Sequence, residues 1–130
     1  IRNPFDKMVS AFYHWEKNMK SHLYEKDNDV ESFRKWIKDG GSAKDRGAYV
    51  IDGNIAVDYL IKYENLAEGV SEVCDKLGID CDLTAIPKLK SQHRDKTFSL
   101  AELYDDESKS IVSEMYKFEI ENFGYSFPSD

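Results

Sequence analysis

The stretch Ile1-Arg2-Asn3-Pro4-Phe5-Asp6-Lys7-Met8-Val9-Ser10 decides how the rest of the chain is read. One apolar residue leads into Arg2, and Pro4 opens an amphipathic run that carries Ser10. Asn3 suits the N-cap and Pro4 the first helical position, where a missing N–H costs nothing. Unpaired backbone N–H groups at a helix start, joined by a guanidinium and a hydroxyl, form the layout of an anion site. A strand ought to feed this turn, yet only Ile1 and Arg2 supply it, so the chain is expected to begin inside a fold. A plainer reading stays open for the pattern alone: Arg2 pairs a carboxylate, and Ser10 is merely tolerated in a helix.

Working outward, Phe5, Met8, Val9, Phe12, Met19 and Leu23 recur at three- and four-residue steps, which predicts a helix from Pro4 to Tyr24. Asp29 is expected to cap a shorter helix with Val30, Phe33, Trp36 and Ile37 inward, ended by Gly40 and Gly41. The polar run from Gly40 to Asn54 reads as a surface loop with an extended piece at Tyr49–Ile51. Asp52-Gly53 is a turn signal for a small hairpin. Val57-Asp58-Tyr59-Leu60-Ile61-Lys62-Tyr63 is the clearest strand, and its apolar character suits a parallel strand covered on both faces. Asn65 and Glu68 resemble a capping box, opening a helix with Leu66, Val70, Val73 and Leu77 inward and Gly78 at its end. After a loop through Pro87 and a basic segment, a last helix starts at Asp105 or Asp106. It turns Ile111, Val112, Met115, Phe118 and Phe123 inward and stops at Gly124. A strand followed by a helix, with an anion-type turn at a strand's carboxyl end, points to an open α/β sheet. So few strands for four helices imply a companion segment.

Composition bounds the reading. The chain has 130 residues, 41% of them hydrophobic and 13% aromatic, enough for a packed core in a single domain spanning residues 1–130. Its net charge of -7 argues against general binding to nucleic acid or to a membrane surface, both of which need a positive field. No apolar run is long enough to span a membrane. Cys74 and Cys81 match no zinc spacing, and a reduced pair is expected, with Cys74 on the apolar face of its helix. No metal is expected.

Three elements carry chemistry. The first is Arg2 with Ser10. The second is Tyr63-Glu64-Asn65-Leu66, where a tyrosine at a strand's carboxyl end can stack on a purine or simply cover the sheet. The third is Lys88, Lys90, Ser91, His93, Arg94 and Lys96, which faces either a phosphate or only solvent.

Joined in order, these elements are similar to those of sulfotransferases that use 3′-phosphoadenosine 5′-phosphosulfate (PAPS). Arg2-x-Pro4-x5-Ser10 with Ala11-Phe12-Tyr13 resembles that family's 3′-phosphate motif. Val57 to Leu66 resembles its strand-to-helix segment ending in Tyr-Glu-Asn/Asp-Leu. Ile86-Pro87-Lys88-Leu89-Lys90-Ser91 resembles its Leu-Pro-x-x-Asn-x-Ser loop, and Tyr116 to Tyr125 its C-terminal helix ending in Phe-Gly-Tyr. The nearest subgroup is the carbohydrate-type sulfotransferases of the Golgi with their bacterial relatives.

The resemblance implies a P-loop-NTPase-like α/β fold, of which this chain is the C-terminal part. It would be mostly helical with one or two strands, without the N-terminal half that holds the phosphosulfate loop. It implies Arg2 and Ser10 on the 3′-phosphate, Tyr63 near the adenine, and Arg94 toward the phosphate or an anionic acceptor. Lys90 stands where relatives carry asparagine and receives no role. The implied partners are the nucleotide donor, a carbohydrate acceptor and the companion half of the fold, with self-association left open. The implied compartment is the cytosol for a bacterial protein and the Golgi lumen for a eukaryotic one. His14, His22 and His93 are each available as a base, and none is singled out. Two other readings stay open: a module that holds adenosine 3′,5′-bisphosphate without chemistry, and a helical protein-interaction domain.

Overall fold

The structure is a computed structural model that describes residues 1–14, 29–82 and 98–128. It falls into two compact units, one formed by residues 1–2 and 44–88, the other by residues 3–43 and 89–130.

The second unit is helical. Helix α1 spans Pro4–Phe12, with Asn3 as its N-cap accepting from the Phe5 N–H, and it widens into a π-type turn at Tyr13 and His14. The remainder of the expected first helix, with Met19, His22 and Leu23, lies outside the described residues. Helix α2 spans Asp29–Lys38. Asp29 is its first residue rather than its cap, and its carboxylate accepts a buried hydrogen bond from the Tyr13 hydroxyl at 3.0 Å. Gly40 and Gly41 end the helix as expected, through bonds from their N–H groups to the Ile37 and Trp36 carbonyls. Phe5, Met8, Val9 and Phe12 of α1 meet Phe33, Trp36 and Ile37 of α2 in one buried cluster, so the periodicity of both helices reads true.

The remaining helices complete that core. The short helix Leu100–Leu103, here called α3, was not foreseen, and its Leu100 and Leu103 are buried. Helix α4 spans Asp106–Met115 and α5 spans Lys117–Phe123. The expected single last helix is therefore two. The break falls at Tyr116, whose ring is fully buried and whose hydroxyl accepts from the Ala43 N–H at 2.9 Å. Gly124, at φ +70°, stops α5 where expected. Asp105 caps α4 reciprocally with Ser108: the Ser108 N–H donates to Asp105 Oδ1 at 2.8 Å, and the Asp105 N–H donates to Ser108 Oγ at 2.9 Å.

In the first unit, β1 (Val50–Ile51) and β2 (Asn54–Ile55) form the expected hairpin, with Val50 opposite Ile55. Asp52 and Gly53 both take positive φ, as a two-residue hairpin turn of matching twist requires. Residues 57–63, read as the clearest strand, are not a strand. Val57 is 39% exposed. The bonds that this segment shares with Ile1, at Ile61 and Tyr63, do not extend into the ladder that a strand needs.

Helix α6 spans Leu66–Leu77, also in this unit. The expected Asn65–Glu68 capping box is not made, because Asn65 makes no side-chain cap bond and a 3₁₀ turn over Tyr63–Asn65 leads into the helix. Leu77, expected inward, is 67% exposed.

Cys74 is buried as expected, but the pair is not reduced: Cys74 and Cys81 form a disulfide. The reason is the helix end. Gly78, at φ +68°, lets the Gly78 and Ile79 N–H groups reach back to the Asp75 and Cys74 carbonyls. That reversal brings the two cysteine Cα atoms to 6.2 Å, within bonding range.

Two stability outcomes follow. Leu103→Ala, at a fully buried site, is expected to cost about 2–5 kcal/mol, whereas Leu77→Ala stays within about 0.5 kcal/mol, both read by urea unfolding. Hydrogen bonds from the Ser108 side chain and backbone hold the Asp105 carboxyl below the ordinary carboxylate range, aided by Lys38 and Arg34. A depressed folded pKa contributes stability above the unfolded value of about 4, and that contribution is lost as pH falls through the folded value. The stability gap between wild type and Asp105→Asn is therefore expected to narrow as unfolding is repeated from about pH 6 down to about pH 3.

Candidate functional site

The site starts from backbone pairing. The Ile1 ammonium donates to the Ile61 carbonyl at 2.8 Å, and the Tyr63 N–H donates to the Ile1 carbonyl at 2.6 Å. One residue bonding to both neighbours of its opposite is the parallel pattern, and it sets Ile1 opposite Lys62. Lys62 is extended, at φ -78° and ψ 129°. The same register sets Arg2 opposite Tyr63, and side chains at paired positions share a face. The Arg2 guanidinium carbon accordingly lies 4.2 Å from the centre of the Tyr63 ring. At that distance the guanidinium makes a cation–π contact with the ring. Tyr63 remains 37% exposed.

Helix α6 supports this pair from below. Ile61, which receives the Ile1 ammonium, packs on Gly69, where an added Cβ would sit 2.5 Å from Ile61 Cγ2. Only glycine permits that approach. Beside it, the Tyr59 hydroxyl donates to the Glu72 carboxylate, and Lys76 Nζ lies 4.6 Å from the centre of the Tyr59 ring. The bond to Glu72 holds the Tyr59 phenol above its ordinary pKa, with minor help from desolvation and the carboxylate charge. Tyr59 is thereby kept as a neutral donor that ties the extended segment to α6.

Ser10 lies within α1, in the helical unit, and is buried. At the start of that helix the Phe5 N–H goes to Asn3 Oδ1 at 3.0 Å, and Asp6 occupies the first turn. Both features compensate the positive helix end internally. Of the four expected ligand residues, the structure brings Arg2 and Tyr63 together, and it places Ser10 on α1. Arg94 lies outside the described residues, as do the other members of the basic segment and His22 and His93. His14 is exposed at the end of α1.

Sequence reasoning treated Arg2 and Tyr63 as separate elements. No sequence signal joins them, because the register that pairs them is set by the backbone bonds of Ile1 to Ile61 and Tyr63. Among the described residues, no group of three or more His, Cys, Asp or Glu is placed to hold a metal ion, and no helix is long and apolar enough to cross a membrane.

Compared with known proteins, residues 1–126 match the profile of a family described as the sulfotransferase family. No curated protein and no solved structure matches the chain.

The stacked pair has its own test. A double-mutant cycle over Arg2→Ala and Tyr63→Ala, read by urea unfolding, is expected to give a coupling of about 0.5–1 kcal/mol, as for a partly exposed cation–π pair. Additive losses would mean that the contact contributes nothing.

Proposed function

The chain belongs to the sulfotransferase family, and from that premise we propose that it serves transfer of a sulfonate from PAPS to a hydroxyl, most naturally on a carbohydrate. The domain in question is a P-loop-like α/β domain, and the motifs carried here are those of its C-terminal part. The parallel hydrogen-bond pair at Ile1 supports a parallel sheet. The observation that carries the ligand reading is the Arg2 guanidinium stacked on the exposed Tyr63 ring. A guanidinium beside an aromatic face matches a ligand with a phosphate next to a purine.

In this reading Arg2 and Ser10, eight residues apart in the sequence, hold the 3′-phosphate, and Tyr63 lies against the adenine. Arg94 is assigned to the phosphate or to an anionic acceptor. The reaction itself is a displacement at sulfur. The acceptor oxygen forms a bond to the sulfonate sulfur, the sulfur–oxygen bond to the 5′-phosphate breaks, and the hydroxyl proton passes to a base. The 3′-phosphate takes no part in those bond changes. Its binding energy instead holds the nucleotide so that the sulfonate lies in line with the attacking oxygen.

Calorimetric titration of the chain with adenosine 3′,5′-bisphosphate tests the site. Arg2→Ala is expected to weaken that binding by about 2–3 kcal/mol, the scale of a charge-assisted contact, and to leave 5′-AMP nearly unaffected. Unchanged bisphosphate binding by the variant would remove Arg2 from the site. A sulfonate-transfer assay run alongside separates an enzyme from a module that only binds.

A further inference from the structure

We propose that the Cys74–Cys81 disulfide is a reversible redox switch: its reduction by a dithiol loosens helix α6 and, with it, the extended segment that leads to Tyr63.

Helix α6 has little of its own to hold it. Of its twelve residues, all of them described, only Gly69 and Cys74 are buried. Its other apolar side chains are half-buried or exposed. A helix of that length is marginal in water without tertiary packing. Gly69 is anchored by its packing on Ile61, and Cys74 by its bond to Cys81 in the chain that returns past Gly78.

The two anchors act on different sides. Five positions along a helix turn through about 140°, net of one full turn, so Cys74 points well away from Gly69. Glu72 and Lys76, which meet Tyr59, fall on the Gly69 side. The helix is thus held between the segment at residues 59–61 and the returning chain. With the disulfide open, it keeps the Gly69 contact and an exposed bond from Tyr59 to Glu72, which contributes little in water. The segment on the other side of that contact carries the pairing with Ile1. Ile61 accepts the Ile1 nitrogen, and the Tyr63 N–H donates to the Ile1 carbonyl.

The exchange chemistry has a defined course. Cys81 is exposed and Cys74 is buried, so a thiolate of the dithiol attacks Cys81 Sγ. The sulfur–sulfur bond breaks, and Cys74 leaves with the electron pair and takes up a proton. The dithiol's second thiolate then displaces Cys81, which is protonated in turn. Two electrons have passed to the cystine, and the reductant ends as a disulfide. A separation of seven residues keeps the two thiols near each other in the opened chain, so a small disulfide oxidant closes the bond again.

Residue-resolved amide exchange, followed by NMR on the full chain with and without dithiothreitol, tests the switch. On reduction, the α6 amides and the Tyr63 amide are expected to exchange at least about tenfold faster, while those of α2 keep their rates. Oxidised glutathione is expected to restore the starting rates. Cys81→Ser leaves Cys74 in place, and is expected to exchange like the reduced chain whether or not the dithiol is present. Unchanged exchange in α6 after reduction, with both thiols titrated, overturns the switch. So does a disulfide that resists the dithiol in the absence of denaturant, or an equal loss of protection in α2, which marks general unfolding. Faster exchange confined to α6, with Tyr63 unchanged, overturns the reach of the switch to the segment.

Discussion

Two backbone hydrogen bonds, from the Ile1 nitrogen to Ile61 and from Tyr63 to Ile1, set the register that brings Arg2 onto Tyr63. A shift of one residue in that register would turn Arg2 to the opposite face from Tyr63. With the observed register, the guanidinium lies over the Tyr63 ring. The extended segment is held in turn by α6, where Gly69 admits Ile61 and the Tyr59–Glu72 bond ties down the neighbouring turn. The chemistry of the pair comes from arginine and tyrosine, and their meeting comes from the backbone.

The helical unit rests on a different solution, a core built of interlocked aromatic rings. Phe5, Phe12, Phe33, Trp36 and Tyr104 pack mostly edge-to-face, at centroid separations of 5.0–6.3 Å. Burying tyrosines demands partners for their hydroxyls, and each one finds a polar or sulfur atom. Tyr13 donates to Asp29, Tyr104 to the Phe5 carbonyl, and Tyr116 accepts from Ala43 and donates to Met8 Sδ. These bonds join segments distant in sequence and convert a permissive hydrophobic cluster into a specific one.

Local signals were read well wherever the physics is local. Asn3 and Asp105 cap their helices, Gly78 and Gly124 end theirs, and Asp52-Gly53 turns the hairpin. Each depends on backbone preferences within a few residues. The failures are of another kind. Residues 57–63 have the composition of a buried parallel strand, yet their pairing with Ile1 stops at two bonds, and how far a ladder extends is not set by composition. The cysteine spacing carried no disulfide signal, because the reversal that joins Cys74 to Cys81 is made by the helix end between them. The break at Tyr116 follows from what its ring and hydroxyl reach in the core.

The amino-acid sequence by itself determined the helix faces, the caps and turns, the order of motifs that marks a sulfotransferase, and the residue types able to bind an anionic nucleotide. These are properties of short windows or of linear order. Tertiary structure alone decided that Arg2 stacks on Tyr63, that Asn3 is shared between the start of α1 and Ser126, and that Cys74 is bonded to Cys81. The first two join residues about sixty and more than one hundred and twenty positions apart, and the third depends on a chain reversal. Such meetings are set by register and packing, which depend on the whole chain at once and leave no trace in any single stretch of it.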